Sequence, residues 1–222
     1  MAVAEIPKHR LHNEIVYSRE EVISHAGRLA LKVAEDYDRV VSDLLVVPLL
    51  QGAEQFNGLL EAEMSALGFW PEFYPVKVNT YDHNNRPIDP RLAAPLPKDI
   101  FRPGRPYLFV DDMLHTGKTL AFMNQTLVDK KLAKKSSMIG KVPSLANMVM
   151  VERIDQQEYD VSANYAAFRT TLEDWLVGGG LDDQRLEGLS ADCGRSLPYV
   201  AKALSDEQIE LLRNEYDLPT RA

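Results

Sequence analysis

Residues Tyr107 to Leu120, YLFVDDMLHTGKTL, carry the densest set of groups able to do chemistry in this chain of 222 residues. The acids Asp111 and Asp112 follow directly on the apolar run Tyr107-Leu-Phe-Val110. The turn His115-Thr-Gly-Lys-Thr119 then leads into Leu120 to Leu132, whose apolar spacing is helical. The segment predicts a strand, an acidic pair, a glycine-containing loop and a helix start. The free N–H groups and positive dipole end of a helix start favour a phosphate. Gly117 lets the backbone approach an anion closely. Thr116 and Thr119 add hydroxyl donors, and Lys118 adds charge. Paired carboxylates at a strand end suit ribose hydroxyls, or the water around a hard cation such as magnesium. Together these groups describe a site for a sugar phosphate.

Three other stretches carry chemistry. Leu44 to Leu50 is a continuous apolar run, followed by Gln51-Gly52 and a helical pattern from Ala53 to Leu67, so strand, glycine turn and helix recur as an anion-binding layout or as a plain connection. Glu152-Arg153 ends the strand-like Asn147-Met-Val-Met-Val151, the usual place for ligand contact in a parallel sheet. Trp175 to Asp183, WLVGGGLDD, offers an aromatic face for a flat heterocycle and three glycines that permit a backbone path closed to side chains; a core tryptophan beside a glycine turn is the alternative.

The central segment resembles the phosphoribosyl-diphosphate (PRPP) signature of type I phosphoribosyltransferases: an apolar strand, two acids, two apolar residues, a variable position and Thr-Gly-x-Thr. Its Thr-Gly-Lys-Thr ending is most like the hypoxanthine-guanine branch. It lacks the upstream glycine of a Walker A loop. The resemblance covers roughly residues 17 to 190, by the usual extent of such a domain. It implies an α/β fold with a mostly parallel central sheet flanked by helices, a small hood and a flexible loop. The implied reaction passes the 5-phosphoribosyl group of PRPP to a purine or purine-like base and releases pyrophosphate, with Mg2+ as cofactor. Asp111, Asp112 and His115 are then catalytic, and His115 to Thr119 hold the 5-phosphate. Gln51, Gly52, Thr80, Tyr81 and Arg185 meet pyrophosphate. Glu152, Trp175 and Val177 meet the base, and Asp182 joins Asp111 and Asp112 at the metal. A cytoplasmic homodimer or homotetramer is the usual form.

Three positions depart from the branch. Gln51 is neutral where a lysine or similar residue is usual. His115 replaces an Asp that handles a purine proton, a task within reach of a neutral imidazole. Glu152 replaces a Lys that donates to a 6-oxo group. A carboxylate accepts only, so this position implies a base offering a donor rather than simple hypoxanthine or guanine. The rival reading is a non-catalytic PRPP or nucleotide sensor, in which these changes reflect relaxed catalytic demand.

The remaining chain must position these groups. Ser18 and Glu21 form a capping box ahead of a helix with Val22, Ala26, Leu29, Ala30 and Val33 on one face, and His25 beside that face is expected to be structural. Pro48 is awkward inside a central strand. Phe73 to Thr80 predicts a strand. Asp82 to Pro106, polar and rich in proline, predicts a long loop or lid, with His83 solvated on it. The Lys130, Lys131, Lys134 and Lys135 cluster predicts a solvated helix end. Ser205 and Gln208 start a C-terminal amphipathic helix. This gives an arm (1–17), a catalytic domain with its hood segments (18–190) and a helical extension (191–222). Hydrophobic residues make up 45% of the chain, enough for a substantial core. A net charge of −8 argues against bulk nucleic-acid binding. Cys193, the single cysteine, excludes an intrachain disulfide. No apolar run approaches the ~18 residues that cross a membrane, and the N-terminus lacks the apolar core of a signal peptide.

Overall fold

The structure is a computed structural model, described here for residues 6–37, 43–81, 86–134, 137–139, 142–187 and 189–216. Its elements run β1 (Ile15–Tyr17), α1 (Arg19–Tyr37), β2 (Leu45–Leu50), α2 (Glu54–Ala66), β3 (Glu72–Phe73), β4 (Val76–Tyr81), β5 (Pro87–Leu92), β6 (Tyr107–Leu114) and α3 (Lys118–Asp129). They continue as β7 (Met138–Ile139), β8 (Val142–Pro143), β9 (Leu145–Arg153), β10 (Tyr165–Thr170), β11 (Leu176–Val177), β12 (Val200–Lys202) and α4 (Asp206–Glu215). The chain forms two compact units: Ser24–Thr171, and a smaller one made of Met1–Ile23 with Leu172–Ala222. The residues read from sequence as an arm and a C-terminal extension thus lie in one unit, because β1 pairs antiparallel with β12.

The larger unit is organised on a sheet of order β10-β9-β6-β2-β4-β5, with β3 also on β2; every pair is parallel except β4 with β5. Apolar runs without alternation form its middle because both faces are covered. Tyr107, Phe109, Leu45, Val47 and Val149 bury against Leu120, Met123 and Leu127 of α3. Leu108, Val110, Val46 and Met148, pointing the other way, are equally buried, and α2 packs on β2 and β6. Pro48 is tolerated where the ladder is already broken. The partner on that side is interrupted between Phe73 and Val76, so β2 pairs there only through Leu45-Val46 and Leu49-Leu50. The single strand predicted over 73–80 is therefore two, split at Pro75. Within the predicted long loop, 87–92 forms β5, an edge strand that accommodates Pro87 and Pro90 because an edge need not pair every N–H. His83, Lys135 and Gly188 lie outside the described residues.

In the smaller unit β1, β12 and β11 form a three-stranded antiparallel sheet. Its core gathers Ile6, Leu11, Val177, Leu186, Leu197, Ala201, Ile209 and Leu212. Helix α4 begins with the predicted capping box of Ser205 and Gln208. Among the described residues no helix is long and apolar enough to cross a membrane.

Candidate active site

In the larger unit the chain passes from β2 to β4 on one side and from β6 to β9 and β10 on the other. The order reverses between β2 and β6, and in open α/β sheets ligands bind outside the carboxyl ends of the strands at such a point. Gln51-Gly52 follow β2 directly, whereas Asp111-Asp112 lie within the carboxyl half of β6, which runs on to Leu114 beyond the strand end expected at Val110 because its pairing with β9 continues to Glu152. The two pairs abut so closely that a Cβ on Gly52 would stand 2.0 Å from Asp112 Oδ2. The Leu50–Gln51 peptide is cis. Asp111 Oδ1 accepts from Asp112 N at 3.0 Å, and Asp112 Oδ1 from Met113 N at 2.7 Å. Removal from water, and then the adjacent Asp112 carboxylate, push the Asp111 carboxyl well above the usual carboxylate range.

The loop beyond β6 turns at Gly117, which precedes α3 with φ of 87°. A side chain there would be strained and would also meet Val161 Cγ1 at 2.5 Å. Gly117, at the N-cap of α3, has no side chain to cap the helix, and a helix start suits an anion. Thr116 Oγ1 accepts from Lys118 N at 3.4 Å. The Lys118 ammonium reaches β5 instead, pairing with Asp89 Oδ1 at 3.0 Å and donating to Ile88 O at 3.4 Å. His115 is half-buried. Burial and then the Arg153 guanidinium lower its pKa; a hydrogen bond to Gln156 and the Glu158 carboxylate oppose them. It is a neutral imidazole at pH 7, the form needed to accept a proton. Thr80 and Tyr81 close β4, with the Tyr81 ring exposed.

Glu152, expected from sequence to meet the base, is held within the protein. Its side chain is buried and engaged by the protein itself. Oε2 accepts from Arg169 Nε at 2.7 Å, and Oε1 accepts from Gln157 Nε2 at 3.2 Å and Ala163 N at 3.4 Å. These contacts take up three of the roughly four acceptor positions of a carboxylate.

In the smaller unit Trp175 is half exposed, and its indole N–H donates to Asp182 O at 3.4 Å. Val177 is wholly buried and pairs with Ala201. Gly178, Gly179 and Gly180 all have positive φ, the path that the run of glycines predicted. Their N–H groups donate to Leu181, Leu197 and Arg195 carbonyls. Arg185, read from sequence as a pyrophosphate contact, is held by Asp183, by Asp206 Oδ1 at 2.8 Å and by Leu204 O at 2.9 Å. The cation beside Asp182 is instead Arg195, 2.9 Å from Oδ2, which also donates to Gly180 O at 3.1 Å. Nothing in the local sequence marks it.

Among the described residues no three His, Cys, Asp or Glu side chains could hold a metal ion by themselves. The mutually repelling Asp111–Asp112 pair does fit magnesium as it usually binds, through one or two carboxylates, waters and substrate oxygens.

No family model matches the chain. The hypoxanthine phosphoribosyltransferase of Escherichia coli K12 is 23% identical over 192 residues, covering 86% of this chain and 95% of that protein. The hypoxanthine-guanine phosphoribosyltransferase of Streptococcus agalactiae is 25% identical over 187 residues, 84% and 91% of the two chains. A crystal structure of a Staphylococcus aureus hypoxanthine phosphoribosyltransferase superimposes with a TM-score of 0.70 at 20% identity, over 88% of this chain and 94% of that one. The chain therefore has the type I phosphoribosyltransferase fold, and its sequence similarity lies with the hypoxanthine-guanine branch of that family.

Proposed function

We propose that the protein transfers the 5-phosphoribosyl group of PRPP to a ring nitrogen of a purine or purine-like base. The observation that carries this reading is the meeting, at one switch point, of an acidic pair and a helix start led by Gly117. The bond from the sugar's anomeric carbon to the diphosphate oxygen breaks, the bond to the base nitrogen forms, and pyrophosphate leaves with the electron pair. Asp111 and Asp112 hold the ribose hydroxyls and stabilise positive charge on the sugar in an oxocarbenium-like transition state. The amides of the His115–Thr119 loop hold the 5-phosphate, and His115 takes the proton released by the base. Asp111 and Asp112 would hold magnesium, and the ion would supply charge to neutralise the diphosphate leaving group. Trp175 and Val177 as base contacts, and Asp182 as a metal contact, enter through the family resemblance alone.

Calorimetric titration with PRPP tests this reading. PRPP is expected to bind in the presence of magnesium, and Asp112→Asn to weaken binding at least about tenfold, or about 1.4 kcal/mol. PRPP binding without turnover on any base would support a sensor; no PRPP binding would end the proposal.

A further inference from the structure

Glu152 sits at the foot of the crossing that joins β9 to β10, directly opposite Arg169 in that parallel pair. Its buried carboxylate ties both ends of the 157–163 segment, through Gln157 Nε2 at 3.2 Å and Ala163 N at 3.4 Å, while Arg169 balances its charge. Between those ties the same segment grips the loop after β6. Thr116 O accepts from Glu158 N at 3.0 Å and Tyr159 N at 3.1 Å. Val161 walls Gly117 so closely that no side chain fits there, and Val161 and Ala163 pack in one core with Leu114 and Leu120. Two donors on one carbonyl fix the plane of the Thr116–Gly117 peptide. In a trans peptide the N–H points opposite the C=O, so the Gly117 N–H is aimed away from the crossing segment.

From this chain of contacts we infer that Glu152 is a positioning residue for the anion-holding loop. Through the 157–163 segment it sets the direction of the Gly117 amide, and with it the affinity for the sugar phosphate, not the choice of base. This rests on the proposed transferase reading for its kinetic consequence, though not for its structural one. Glu152 supplies the segment with two acceptances, both on Oε1, and gives Arg169 a third on Oε2; the carbonyl oxygen of a Gln keeps the two segment contacts and gives up the one to the half-exposed Arg169, whereas a Leu keeps none.

The experiment compares Glu152→Gln, Glu152→Leu and Gln157→Ala with the wild type by amide hydrogen exchange at residues 116–121 and by steady-state kinetics. Glu152→Leu is expected to speed exchange of those amides about tenfold and to raise KM for PRPP about tenfold, with kcat and base preference within about twofold. Gln157→Ala should move the same two readouts about threefold, and supplies the test if the Leu variant does not fold. Glu152→Gln should leave both near wild type. Unchanged exchange in the variants that lose an acceptor contact, or an altered base preference in any folded variant, overturns the inference. If the wild type turns over no base, amide exchange alone still decides the role of Glu152, and only the transferase reading fails.

Discussion

Asp111 carries a carboxyl whose charge the fold disfavours, and in the proposed mechanism that charge serves the ligand. Its carboxyl is pushed up by burial and by Asp112, so folding disfavours its charge. A raised folded pKa leaves stability intact below the unfolded value of ~3.9 and removes it as pH rises through the folded value. Asp111→Asn, neutral throughout, is therefore expected to raise the thermal midpoint at pH 7 by about 2–4 °C, about 1 kcal/mol in a chain of this size. The gain should shrink as pH is lowered towards about 4, and the variant should lose magnesium-dependent PRPP binding. A midpoint at or below wild type at pH 7 would show that the two acids do not repel. Residues at this scale were legible where their role is local. Gly117 at a left-handed turn and three glycines in a row declare themselves by type and spacing, as do the adjacent acids, although the strand runs on past them to Leu114. Glu152 and Arg185 did not, because each joins nearby partners, Gln157 and Asp183, to distant ones, Arg169 and Asp206, which stand 17 and 21 residues away.

Helices and strands place the glycines, and two of these separate stability from binding. At Gly52 the atoms nearest a new methyl are those of the Asp112 carboxylate, a partly exposed side chain rather than core or backbone. Gly52→Ala should therefore shift the thermal midpoint by about 2 °C or less while weakening PRPP binding, since the acid it displaces belongs to the site. At Gly117 the methyl meets Val161 inside the core and the backbone has φ of 87°. Gly117→Ala should cost about 2 kcal/mol, or about 4–8 °C in midpoint, as well as binding. Differential scanning calorimetry with PRPP titration reads both; equal stability loss in the two variants would contradict this placement. The long helices and continuous apolar strands were legible because periodicity reports burial. Strand β5 was not, because Pro87 and Pro90 disguise an edge strand as a loop, and the split of β3 from β4 turns on a single Pro75.

At the scale of the molecule, the order in which the strands lie explains why two loops distant in sequence meet. The reversal between β2 and β6 brings the acid pair against the first glycine turn, and no linear pattern states that order. The resemblance of Tyr107 to Leu120 implied the mostly parallel sheet in advance, but not the order of its strands. The division into arm, domain and extension was harder to see, because β1 and β12 pair across nearly the whole chain. The central claim is chemical, and one measurement tests it most directly: pyrophosphate release from PRPP with magnesium, across a panel of purine, pyrimidine and modified bases. The account predicts release with at least one purine or purine-like base, with formation of the matching nucleoside 5-monophosphate. Binding of PRPP with no release on any base would contradict it.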